Sequence, residues 1–255
     1  MTSDFDKAQA AMDEPNLREE ENLADILLQL GDRIAPSLIA GTHREQLLQC
    51  AGAIPASVAA YPFGFELPMH TDQLRGDLGI IVTSGSDTAR FFEQRGRQAD
   101  ATSAAAGLAG VIREMQCESS PIHPLVSMLM LEFDVPDTQE AVQKEPGVFL
   151  YPKEPMIGGG NVQPVSVMLD AIVSAAGWQA QAAEHRELAR IYRKMRSSVR
   201  IGSLGVFPSR QRTIRLAIAD FQNSSEIIDL LQNIGWNAQN HRFVESLIQI
   251  LETNN

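Results

Sequence analysis

Glu132 and Asp134 close a stretch, LVSMLMLEFDV at 125–135, whose residues alternate in character. Side chains two apart share a face of an extended chain. Leu125, Leu129, Leu131, Phe133 and Val135 therefore fall on one side, and Val126, Met128, Met130, Glu132 and Asp134 on the other. Two carboxylates on one strand face can hold a hydrogen-bond donor or move a proton. YPFGFELPM repeats the pattern, with Phe63, Phe65, Leu67 and Met69 alternating with Gly64, Glu66 and His70. In TIRLAIADF at 213–221, Ile214, Leu216 and Ile218 alternate with Arg215, Ala217 and Ala219.

If each apolar set packs against helices, the other side of the sheet carries Glu66, His70, Met128, Met130, Glu132, Asp134 and Arg215. VRIGSLGVF at 199–207 adds Arg200 in one of its two registers. These eight are the candidate ligand-binding residues. Methionines adapt to irregular shapes, small neighbours leave room, and a few convergent polar groups orient a bound molecule. The plainer alternative is a face that meets water, with exposed cross-strand pairs worth ~0.2–1 kcal/mol each. No residue is assigned a catalytic role.

Other signals point to less. IGGGN at 157–161 precedes a helical pattern, and free amides at a helix start can hold a phosphate, with Lys153 the nearest cation. There is no GK[ST] sequence, and a turn or hinge is the plainer reading. RSSVR and SRQRTIR make a basic stretch near 196–215, read as an anion site or as a partner for acidic helices. His43, His70, His123, His185 and His241 form no HExxH, and Cys50 and Cys117 no metal or redox motif, so no metal and no cofactor are expected. No GxSxG occurs, which argues against a serine hydrolase of the usual kind.

The elements that must position these residues follow from period and caps. Residues 1–16 are an acidic leader, expected to be mobile, and 17–255 a single α+β domain. A helix pair comes first, with Leu23, Ile26, Leu27, Leu30 and Ile34 in helical spacing, then a helix from about Thr42, with Thr42 and Glu45 at capping-box positions. Strands and helices then come as two and two, three times: strands in 61–69, 78–84, 125–135, 147–152, 199–207 and 213–221, the last helix over 238–252.

GWQAQ at Gly177 and GWNAQ at Gly235 stand 58 residues apart and hold both tryptophans. Each glycine suits the left-handed position that ends a helix, and each tryptophan the site that folds back on the last turn. GVF at 147–149 and 205–207 shares the offset, and the two matches together suggest an internal ββαα repeat. That offset also sets the strand at 213–221 against PMIGGGNVQ, which does not read as a strand.

Strands joined by short connections pair antiparallel. Helix pairs between them cover one face. Three ββαα units thus give an antiparallel sheet or a partial barrel with helices on one side. In element order alone, the chain over about 20–255 resembles the αββα-repeat barrel of the ABBA prenyltransferases. The resemblance implies a lumen with substrate inside, and a diphosphate held by basic and tyrosine side chains. Arg200 and Arg215, with Tyr61 and Tyr151, are the residues here of that type.

The net charge of −11 argues against a general nucleic-acid or anionic-membrane surface and leaves room for a local basic pocket. The first 22 residues lack the apolar core of a signal peptide, and no apolar run has the length of a membrane span. A cytoplasmic location is expected. The leading function is an accessory or carrier protein that binds a small molecule or peptide on the helix-free sheet face. A transferase of the αββα-barrel type is the second reading. The third is a structural protein that buries this face in a homodimer.

Overall fold

The computed structural model describes residues 21–58, 63–67, 74–135 and 145–236, with Val244 and Ser246. The leader and most of the last helix lie outside the described residues, as do Tyr61, Met69, His70 and His241.

Two helices come first, α1 (Leu23–Leu30) and α2 (Gly41–Ala51). Asn22 and Asp25 form a reciprocal capping box on α1, each side chain accepting from the other's amide at 3.2 and 2.9 Å. The box expected from Thr42 and Glu45 does not form. Helix α2 begins one residue before Thr42, Ala40 occupies its cap, and no side chain bonds there.

Next come β1 (Phe63–Glu66), β2 (Asp77–Thr83), α3 (Asp87–Arg97) and α4 (Ala104–Gln116). The second unit is β3 (Val126–Phe133), β4 (Gly147–Pro152), β5 (Met156–Ile157), α5 (Val162–Ala175) and α6 (Ala182–Lys194). The third is β6 (Arg200–Val206), β7 (Ile214–Ala219) and α7 (Ser224–Asn233). Ser86, Ser103, Asn161 and Asn223 cap α3, α4, α5 and α7 through their side chains. Among the described residues, no helix is long and apolar enough to cross a membrane.

All pairings between these strands are antiparallel. Strand β7 pairs along the whole of β6, so β4 and β5 must share the other edge, β5 continuing the line of β4. The spatial order is then β1-β2-β3-β4-β6-β7, the order of the sequence. Among the described residues no pairing joins β1 to β7. The sheet is open, and the lumen implied by a barrel is not formed by these strands.

The helices make one layer, α3 packing on α4, α4 on α5 and α5 on α6. Small residues allow the closest approach. A Cβ on Gly107 of α4 would stand 2.2 Å from the Ser174 carbonyl oxygen of α5. The core lies between this layer and the sheet. Leu78, Ile80, Leu129, Leu131, Val148, Leu150, Leu204 and Val206 point into it, against Val165, Met168, Leu169 and Ile172. Removing so much apolar surface from water is the main stabilising term.

The phase of β3 shifts once. Val126 is opposite Pro152 and Met128 opposite Tyr151, two residues on one strand for one on the other. This bulge at Ser127 turns Val126 into the core, not onto the face of Met128 where simple alternation puts it.

Both GW junctions are helix ends of one geometry. Gly177 and Gly235 have φ of 71° and 77°. The amide of Trp178 donates to Val173 at 3.1 Å and that of Gly177 to Ser174 at 2.9 Å. Trp236 donates to Leu231 at 2.8 Å and Gly235 to Gln232 at 3.0 Å. These are Schellman ends. Trp178 packs on the core and lies under the Arg212 guanidinium, whereas Trp236 keeps 47% of its surface exposed.

The GVF match has a different meaning. Gly147 opens the second strand of one unit, and Gly205 lies near the end of the first strand of the next. The triplets pair with each other, Val148 opposite Val206 and Phe149 opposite Gly205. They are antiparallel partners, not equivalent positions of a repeat.

Candidate functional site

Register places the helix-free face in rows. One row crosses Gly64, Gly79, Glu132 and Gly147. The next crosses Ile81, Met130, Phe149, Gly205 and Arg215. On the other side of the first row, Glu66 pairs with Asp77. Asp134 lies one step past the Leu78–Phe133 pair, and the Val135 amide donates to Asp77 Oδ1 at 2.9 Å.

Five candidates thus meet: Glu66, Met130, Glu132, Asp134 and Arg215. Met128 shares the face but sits further along β3, beside Tyr151. Arg200 does not join them. It lies opposite Ala219 at the far end of β6 and is paired with Asp220. His70 lies outside the described residues.

The face is not simply solvated. Glu132 is 2% exposed, Ser203 4% and Phe149 8%. Glycine on both sides of Glu132 leaves its carboxyl without a flanking side chain in its own row. On the β4 side the space above Gly147 is taken by the Phe207 ring, which would lie 2.5 Å from a Cβ there. On the β2 side the row is bare backbone among the described residues: a Cβ on Gly79 would meet nothing closer than 3.6 Å, and one on Gly64 nothing within 4 Å. Glu132 therefore stands at the inner end of a glycine-floored strip two strands wide. Met130 and Ile81 border it on one side, and Glu66 and Asp77 on the other.

Burial pushes the Glu132 carboxyl up to about 9, with the nearby Glu66 carboxylate adding to the effect and Arg215 opposing it. Such a group is a neutral acid near pH 7, able to donate one hydrogen bond. Among the described residues no donor reaches its Oε2. Burial also raises Asp77, against the Val135 amide that favours its charged form. Tyr151 is raised by burial and then by Glu66. Its hydroxyl reaches Met130 Sδ at 3.7 Å.

Several members of this site were not among the candidates. Asp77 falls at the end of TDQLRGD, which reads as a turn. Arg210 lies in the turn between β6 and β7, yet its guanidinium forks onto both Asp134 oxygens. Phe207 holds the Arg210 and Arg215 guanidinium carbons 3.7 and 4.2 Å from its ring centre. Only the alternation of β2 could have placed Asp77 on this face.

Apart from Arg215, the basic stretch is spent on carboxylates. Arg196 pairs with Glu226 and Asp229, Arg200 with Asp220, Arg210 with Asp134 and Arg212 with Glu184. IGGGN offers no cradle. The amides of Gly158, Gly159 and Gly160 donate to the carbonyls of Val199, Tyr192 and Ile157. Ser166, His185 and Asp170 form a hydrogen-bonded trio, with His185 Nδ1 2.8 Å from Ser166 Oγ and Nε2 2.9 Å from Asp170 Oδ1. Ser166 sits inside α5, where the helix's own bonds take up the amides that an acyl-transfer site would need. The trio links α5 to α6.

No family model, no curated protein and no solved structure matches this chain.

Proposed function

We propose that the chain is an accessory or carrier protein that binds a small molecule or peptide on the helix-free face of its sheet. The supporting observation is the bare strip over Gly64 and Gly79 that ends at Glu132. A ligand laid there meets peptide planes below and Met130 and Ile81 at the side. It presents a hydrogen-bond donor to a carboxyl oxygen that otherwise has none. Leaving that oxygen unpaired costs about 1–3 kcal/mol, which a matching ligand recovers. Arg215, exposed on the same face, is the cation for an acidic part of the ligand. The cytoplasmic location expected from the sequence is part of this reading.

Native mass spectrometry of protein purified gently from its host, set against the denatured mass, reads a retained ligand directly. The expected result is an added mass that falls in occupancy in Glu132→Gln and Arg215→Ala while both variants stay folded. Equal retention by parent and both variants would place the ligand elsewhere and sink the proposal for this face.

A further inference from the structure

We propose that Asp77, Glu132 and Asp134 form a binding site for a divalent cation of the calcium type. One carboxylate oxygen from each lies within 4.8 Å of the others. Carboxylate oxygens select a hard cation, and calcium accepts irregular oxygen sets where magnesium demands near-ideal octahedral geometry and dehydrates reluctantly.

Acidic groups gather on many surfaces without an ion, but Glu132 is not a surface group. It is 2% exposed, and its Oε2 has no donor. A buried carboxyl oxygen without a donor is costly, and a hard cation, displacing the Glu132 proton to solvent, is a partner three oxygens can share. The backbone prepares the arrangement. Gly79, on the β2 side of Glu132, leaves access to its carboxyl, while the Phe207 ring closes the Gly147 side. The Val135 amide fixes Asp77 through Oδ1, leaving Oδ2 to coordinate.

Arg210 is the competitor in direct contact, its guanidinium spanning both Asp134 oxygens, with Arg75 acting on Asp77 and Arg215 on Glu132 through their charge. A metal ion must take one of them from it. The inference rests on the reading of this face as a binding surface and fills its acidic corner.

Calorimetric titration of the chelator-stripped full chain with calcium chloride, and separately with magnesium chloride, tests it. The expected result is one calcium per chain, bound more tightly than magnesium. Glu132→Gln and Asp77→Asn each weaken it at least about tenfold. Arg210→Gln binds calcium more tightly than the parent, an effect that damage to the fold would not produce. Absence of calcium binding by the parent up to about 10 mM, beyond the weak end of protein calcium sites, overturns the proposal. So does binding left unchanged in both carboxylate variants, or binding of methylammonium chloride in place of calcium. Calcium binding without any retained organic ligand in the native mass spectrum would support this site while removing the carrier reading.

Discussion

Gly205 lies directly beneath the ring of Phe149, so that a Cβ on this glycine would stand 2.3 Å from Phe149 Cδ1. The relation is reciprocal, with Gly147 under Phe207 and the two rings edge to face at 5.6 Å. Val148 and Val206 face each other between them. The GVF triplets thus form a local two-fold clasp joining the second and third units. Gly205→Ala forces the ring aside in a buried place, and overpacking of this kind costs about 1–3 kcal/mol. In a Phe149→Ala background the same change should cost little. Urea unfolding of the four-member cycle measures the coupling. Additive effects would show that the ring and the glycine do not depend on each other.

Gly177 and Gly235 end their helices with the same backbone but different surroundings. A Cβ at Gly177 would meet the Thr102 carbonyl oxygen at 2.8 Å, whereas at Gly235 no described residue lies within 4 Å. Gly235→Ala should carry only the left-handed cost of roughly 1–2 kcal/mol. Gly177→Ala adds a clash with backbone that cannot swing away. Thermal unfolding should give the larger loss for Gly177→Ala. Equal losses would mean that the α4 connection near Thr102 yields freely.

The period-two strands and both GW helix ends are legible in the sequence because each depends on residues a few positions apart. What escapes is set by long-range pairing. Asp77 joins the site because β2 lies beside β3, and Arg210 because the turn after β6 reaches back to Asp134. Arg200 has the right residue type and a face shared with the site, yet stands at the wrong end of β6. The bulge at Ser127 left no mark that alternation alone could detect. The two GVF triplets, read in the sequence as part of a repeat, stand as antiparallel partners in the sheet.

Glu132 makes the fold's stability depend on pH in an unusual direction. Its carboxyl ordinarily titrates near 4.5 and in the fold at about 9. Between those values the folded chain holds a proton that the unfolded chain releases. Stability therefore falls as pH rises through this window, because the unfolded state binds fewer protons. The contribution is fully present below the unfolded value and is lost as the carboxyl ionises in the fold. Between about pH 5 and 8 the loss should be of order 1–3 kcal/mol, moderated by Arg215. Glu132→Gln keeps the shape and cannot ionise. In metal-free buffer it should flatten this part of the profile and be more stable than the parent at pH 8. Urea midpoints taken at several pH values read the difference. Parallel profiles for parent and variant would mean that Glu132 is charged in the fold, held by a cation or by water that reaches Oε2.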